Sequence, residues 1–159
     1  MRTLLFIAAA TSLLAFSCMD NEGPATPGTS TIVKHGTSFG ECAGYCLTEL
    51  TIHGLGANFQ RSGWRTDPSL PVKETTAVLQ ADEWDAIISS IDYVRLAELD
   101  TIIGCPDCAD GGAEWIEVID TGYHKKVTFE FGKSLPYIQQ LVDRLRAAEE
   151  RFRSFSRIP

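Results

Sequence analysis

Trp115-Ile116-Glu117-Val118-Ile119-Asp120 and Lys126-Val127-Thr128-Phe129-Glu130-Phe131, with Gly122 in the turn between them, decide the fold class of this 159-residue chain. In the second segment Val127, Phe129 and Phe131 alternate with polar residues, the period of a strand with one buried face. Two strands around a turn are therefore expected here, and the flanking segments say what packs on them.

Downstream, the pattern becomes helical. Ser134 can cap a helix and Pro136 fits its first turn. Ile138, Leu141, Val142, Leu145, Ala148 and Phe152 then line one side. Upstream, Trp84, Ile87, Ile88 and Ile91 fall at i, i+3, i+4 and i+7 and predict another amphipathic helix. Asp82, Glu83 and Asp85 crowd its start, where negative charge suits the helix dipole. Val94, Leu96 and Leu99 follow as an apolar connector. Further back, Thr48, Leu50 and Ile52 alternate with Glu49, Thr51 and His53 as a strand. Gly54-Leu55-Gly56 breaks it, Asn58–Ser62 returns as a hairpin partner, and Val72–Leu79 reads as a third strand. The predicted order is β-β-β-α-β-β-α. That is an α+β fold, an antiparallel sheet with two helices packed on one face.

The N-terminal segment has its own logic. Arg2 supplies a positive n-region, Leu4 to Phe16 is almost wholly apolar, and Ser17 precedes Cys18. This is the layout of a signal peptide over residues 1–17, too short for an ordinary membrane span of ~20 residues. Ala15-Phe16-Ser17-Cys18 resembles the bacterial lipobox, which implies lipidation of Cys18 and anchoring to the membrane through acyl chains. Asp20 and Glu22 resemble the acidic signals that send some Bacteroidetes lipoproteins to the outer face of the cell. The expected location is the bacterial cell envelope, at the outer membrane and surface-exposed, with secretion after cleavage as the alternative. Residues 18–38, rich in Gly, Pro, Ser and Thr, read as a flexible tether. Residues 39–153 make one domain and 154–159 a tail.

Charge narrows the partners. The chain carries net −7, and residues 82–120 hold eleven Asp or Glu against one base, Arg95. Phosphate binding needs clustered Lys and Arg, so nucleic acid is not an expected partner. Arg144, Arg146, Arg151, Arg153 and Arg157 lie on the terminal helix and tail and read as a solvated face.

Four cysteines form two close pairs, Cys42/Cys46 and Cys105/Cys108. In an exported chain, an even count in close pairs predicts disulfides. Of the three connectivities, at least one bond between the two segments is preferred. It would close a loop of about 60 residues and constrain the unfolded chain by ~4 kcal/mol. Two other readings stay open. Four thiolates at Cys-x₃-Cys and Cys-x₂-Cys spacing can hold structural zinc. Cys105-Pro106-Asp107-Cys108 can exchange thiols in a redox protein.

Ser38-Phe39-Gly40-Glu41-Cys42-Ala43-Gly44-Tyr45-Cys46 resembles the opening of a group of bacterial exported proteins of unknown function. Their motif is Cys-Phe-Gly-x-Cys-Pro-x-Tyr, followed by a strand. Phe39, Gly40, Cys42 and Tyr45 match it, and Glu83-Trp84 matches the start of that group's helix. The resemblance covers roughly residues 36–150. Ser38 stands where the first Cys is expected, and Cys46 is added. The resemblance implies a fold and an exported location, and no activity.

No catalytic set is recognisable. His35 falls in the tether, and His53 and His124 fall near strand ends, none paired with a nucleophile in a known pattern. Trp84, Trp115, Tyr45 and Tyr137 read as core or core-edge aromatics. Asp107, Asp110 and Glu114 surround Gly111-Gly112, but their spacing is not that of a calcium loop and suits a turn. No metal and no cofactor are expected. The stapled 104–112 loop, with Asp107, Asp110 and Glu114, is the expected binding surface, since a preorganised loop loses little entropy on contact. The chain thus reads as a non-enzymatic, disulfide-stapled module. It would be lipid-anchored and would bind another protein or an envelope component.

Overall fold

Ile32–Ser38 forms a strand, β1, in the interior of a seven-stranded sheet. The computed structural model describes residues 30–64 and 69–155. The signal segment, Cys18, most of the tether and Arg157 lie outside the described residues. Among the described residues, no helix is long and apolar enough to cross a membrane.

The other strands are β2 (Leu47–His53), β3 (Gly56–Ser62), β4 (Lys73–Val78), β5 (Ile102–Ile103), β6 (Ala113–Asp120) and β7 (Tyr123–Glu130). Their spatial order is β4-β3-β2-β1-β6-β7-β5. All neighbours are antiparallel except β5, which runs parallel to β7. The helices are α1 (Ala81–Ser89), α2 (Tyr93–Glu98) and α3 (Gln139–Phe155). The α+β class and the mainly antiparallel sheet match the sequence expectation. The element order adds four pieces to it: β1, the short α2, the two-residue β5 and a 3₁₀ turn at Cys108–Asp110.

The tether expectation is corrected at its C-terminal end. Residues 32–38, read from composition as spacer, pair at seven positions with β2 and at seven with β6. The pattern misleads because two of the three inward positions, Val33, His35 and Thr37, are polar. All three are nonetheless buried, at 3% exposure or less. Between β1 and β6 the chain also demands a small residue. Gly36 lies opposite Trp115, and a Cβ at Gly36 would sit 2.1 Å from the indole Cζ2.

Cross-strand register sorts the inner face into rows. Ile52, Val33 and Val118 form an apolar row, and Leu50, His35 and Ile116 form the next. Thr48, Thr37 and Glu114 form the third. The core is therefore apolar at one end of β1 and polar at the other. Val33, Leu50, Ile52, Phe59, Ile116, Val118, Val127 and Phe129 join helix residues Trp84, Ile87, Leu96, Leu141, Leu145 and Phe152 in one buried cluster. Trp84 is in the core as expected, but Tyr137 is exposed, with Arg95 over its ring at 5.5 Å.

Local signals fix the helices. Asp92 caps α2 by accepting from Arg95 N at 3.0 Å, the usual way to satisfy a helix-start N–H. Asp82 and Glu83 occupy the first turn of α1 as the charge pattern suggests. The start of α3 is later than predicted. Ser134 and Pro136 precede the helix, and Leu135 N donates to the Gln139 side chain at 2.7 Å. α1 and α3 are tied by Arg151 and Glu83 at 2.5 Å.

Candidate functional site

The polar end of the core is closed by α3. Leu141, Leu145, Ala148 and Phe152 make its apolar stripe, and Arg146, Glu149 and Arg153, at i, i+3 and i+7, make the stripe beside it. That geometry brings three charged side chains of α3 over the Thr48, Thr37 and Glu114 row of the sheet.

His35 lies between two carboxylates. Its Nε2 faces Glu114 Oε1 at 2.8 Å and its Nδ1 pairs with Glu149 Oε2. The imidazole and both carboxylates are 2% exposed or less. A neutral imidazole has one N–H and can donate to one of these acceptors; only the imidazolium donates to both. Burial alone would push the His35 pKa down, but its bonds to Glu114 and Glu149 outweigh burial and raise it.

Each carboxylate has further donors. Arg146 grips Glu114 through Nε at 2.7 Å and Nη2 at 2.8 Å, and Gly132 N donates to Glu114 at 3.0 Å. Burial works against the Glu114 charge, yet His35, Arg146 and Gly132 together hold its pKa at about 2. Glu149 accepts from Thr48 Oγ1 at 2.8 Å and from Arg153 Nε at 3.0 Å. Its pKa is also lowered, against burial, by His35, Arg153 and Thr48. Arg153 Nη2 reaches Thr37 and Thr48 as well, at 3.2 and 3.1 Å.

Above this network is a pocket of about 450 Å³. Phe39 and Phe131 wall it, with rings 4.9 Å apart in an edge-to-face arrangement, and Glu150 stands on its rim. Phe39 is held from behind. A Cβ on Gly112 (φ +82°) would sit 2.4 Å from the Phe39 ring, so the ring packs on bare backbone. Trp64 Nε1 donates to Phe39 O at 2.5 Å.

The cysteines flank this pocket but do not cross-link it. The disulfides are Cys42–Cys46 and Cys105–Cys108, both local. The preferred long-range bond is therefore overturned. The two segments meet through other groups: Asp107 Oδ1 accepts from Gly40 N at 3.1 Å, and Phe39 packs on Gly112. Within each pair the Cα atoms lie 5.7 and 5.5 Å apart, ordinary disulfide spacing.

The expected binding residues Asp107, Asp110 and Glu114 do not converge. Asp107 is the tie to Gly40, Asp110 is exposed in a single 3₁₀ turn, and Glu114 points into the domain toward His35. Among the described residues, no group of three or more His, Cys, Asp or Glu side chains is arranged to hold a metal ion. The solvated-face reading of the arginines is corrected for Arg146 and Arg153, whose guanidinia hold buried carboxylates. His35 is corrected from tether to core. His53 is exposed at a strand end, and exposed His124 bonds Glu117 at 2.6 Å. Glu149 went unnoticed in the sequence. Its signal was the Arg146-Glu149-Arg153 spacing beside an apolar stripe.

Compared with family models and with curated protein sequences, the chain matches none.

Proposed function

We propose that this chain is a lipid-anchored cell-envelope protein, attached through Cys18, whose disulfide-stapled domain binds a ligand or envelope partner at the His35 pocket and catalyses no reaction. The observation that carries this reading is the pocket floor, where His35, Glu114 and Glu149 are each 2% exposed or less. Such a network is a poor way to gain stability, because well-packed apolar residues usually do as well or better. A concavity with aromatic walls and a few fixed polar groups is what small-ligand sites have in common.

The arrangement suits binding better than catalysis. His35 has both nitrogens committed to carboxylates, so it is not available as a base. The Thr37 and Thr48 hydroxyls bond one another at 2.7 Å, and Thr48 also donates to Glu149. In this reading the helices form one layer over the inner face of the sheet, with the pocket at the polar end of that layer. The opening motif shared with exported proteins then serves the pocket directly, since Phe39 is one of its walls and Gly40 is the backbone anchor for Asp107.

The rival reading is thiol exchange at Cys105 and Cys108, which lie in the 104–112 loop beside the pocket. Against it, no helix follows Cys105 to lower a thiol pKa; one 3₁₀ turn does, with Ala109 at φ 52° inside it. Zinc at the four cysteines would first require both disulfides to open.

Two experiments test the proposal. Palmitate labelling of the expressed chain should vanish in Cys18→Ala; undiminished labelling would sink the anchor. NMR titration of a fragment set should perturb Phe39, Gly132, Arg146 and Arg153 together. Hits gathering instead at Asp110 would move the site back to the loop.

A further inference from the structure

We infer that the free edge of the sheet at β4 pairs with a second copy of this chain, antiparallel about a twofold axis through Thr75. This surface shares no residue with the His35 pocket, so its test is independent of the ligand reading.

The sheet ends differently on its two sides. On one side the last strand is β5, whose two residues are too few to template another chain. On the other it is β4, six residues long and bonded, among the described residues, to β3 alone. One bond fixes the direction of its unused backbone groups. Leu79 N donates to Leu55 O at 2.8 Å, in register with the β3–β4 pairs. Backbone groups of an antiparallel strand point alternately to its two sides. Ala77, Thr75 and Lys73 therefore bond β3, while Val78, Thr76 and Glu74 turn their N–H and C=O groups outward.

Sheets usually guard such an edge with charge, proline or a bulge. Here the two charged side chains of β4 are drawn back from it. Lys73 and its cross-strand neighbour Arg61 lie over the Tyr45 ring, at 5.1 and 5.5 Å. Glu74 accepts from the side-chain amides of Asn58 and Gln60 on β3. The remaining Thr75-Thr76-Ala77-Val78 has no charge and no proline, and Thr and Val favour strands. Val72 and Val78, at the two ends, are 60% and 73% exposed.

The side chains select the occupant and the register. Outward groups must meet outward groups, which puts the twofold axis on a residue. On Lys73 or Glu74 it opposes two like charges, which is destabilising. On Thr76 it sets Glu74 against Val78, and on Ala77 it pairs no more than Thr76 to Val78 of each strand. On Thr75 it sets the two Thr75 side by side, Glu74 against Thr76, Lys73 against Ala77 and Val72 against Val78 of the second copy. No like charges are then directly opposed, and the exposed valines cover one another. Thr–Thr and apolar cross-strand pairs are favourable, and a closed twofold pair is the commonest form of self-association. One edge strand buries little area, so the pair is weak and reversible.

The test is disulfide trapping of the full-length chain in the cells that express it, with copper-phenanthroline as oxidant. Residues opposed in a non-hydrogen-bonded antiparallel pair have Cα atoms ~4.5 Å apart, within disulfide reach. Thr75→Cys should therefore give at least fivefold more dimer on non-reducing gels than Thr76→Cys. Two differently tagged chains, one Val72→Cys and one Val78→Cys, should give a mixed dimer at least fivefold above either self-dimer. This second arm carries the test if Thr75→Cys fails to accumulate. In the Thr75→Cys background, Thr76→Glu opposes acids on both sides of the axis and should reduce trapping at least fivefold; adding Glu74→Lys should restore it. Equal trapping from Thr75→Cys and Thr76→Cys, or no dimer from Thr75→Cys and the valine pair alike, would overturn the proposal. A cross-linked product of another mass would assign the edge to a different protein and overturn it too.

Discussion

Glu114 and Arg146 meet as a two-pronged pair across the boundary between sheet and helix, Nε to Oε1 at 2.7 Å and Nη2 to Oε2 at 2.8 Å. Glu114 is 1% exposed, so it depends on such donors to remain charged. Removing one partner of a buried pair strands the other, at a cost of about 3–5 kcal/mol. Arg146→Met should therefore lower the unfolding free energy by that much, read from the urea midpoint at unchanged m-value. Arg146→Lys should recover only part of it, since a lysine cannot reproduce the fork. A midpoint within error of wild type for Arg146→Met would mean Glu114 is held adequately without it.

Stability should depend on pH on both sides of a plateau. The His35 pKa is raised above its unfolded value of 6.5, so its contribution is full below that pH. It is lost as pH rises through the folded value. Glu114, lowered from 4.5 to about 2, and Glu149, also lowered, contribute fully above 4.5 and lose that contribution as pH falls. Urea midpoints should thus be highest between pH 4.5 and 6.5 and decline as the solution is made alkaline. Stability that rises instead as pH climbs above the ordinary histidine range would contradict an imidazolium at His35.

Gly36→Ala tests the close approach of Trp115. The added methyl would overlap the indole at 2.1 and 2.4 Å, so strand or ring must shift. Overpacking of this kind costs about 2 kcal/mol. Thermal melts should show the loss, and tryptophan fluorescence should change with it. A neutral substitution would mean that the indole and the Thr48 carbonyl, which would lie 2.5 Å from the added methyl, both give way freely.

The two disulfides should be modest staples. Their sequence separations are 4 and 3, and loops this small give about 2 kcal/mol each in the loop-entropy account. A reduced and alkylated chain should keep its far-UV circular dichroism and melt at lower temperature. Complete loss of structure on reduction would show that the loops do more than close themselves.

Ala109→Gly should stabilise the domain. Ala109 sits at φ 52°, in the left-handed region that costs a non-glycine residue about 1 kcal/mol. Glycine relieves that cost and returns some of it as unfolded-state freedom. Equal or lower melting temperature would mean the alanine methyl contributes a contact that offsets the strain.

What the sequence made legible follows from where apolar periodicity survives. Leu50 and Ile52, Val127 and Phe129, and Trp84 and Ile87 keep their period, and each lies in the element predicted for it. β1 does not keep it, because His35 and Thr37 fill inward positions that a pattern reading assigns to apolar residues. The same substitution of polar for apolar hid the strand and the site together. Glu114 is legible as an acid near a turn, but its partner His35 lies 79 positions away, and Glu149, on the other nitrogen of that imidazole, lies 114 positions from His35, separations that only the fold closes. Arg146 and Arg153 looked solvated because charge on a helix usually is; here two buried carboxylates draw them inward. Cross-linking a longer loop removes more unfolded-chain entropy, but that says nothing about which sulfurs can reach each other, and here each cysteine reaches its near neighbour in sequence.

The placement of β1 has a mechanical consequence. A pull applied to the chain from the N-terminal side of Ile32 enters the sheet in its interior, on a strand bonded along both flanks. Directed along the strand, such a load must shear both rows of backbone bonds at once instead of unzipping an edge pair by pair. A domain held at that end and gripped at its pocket would therefore resist extension through a strand bonded on both sides.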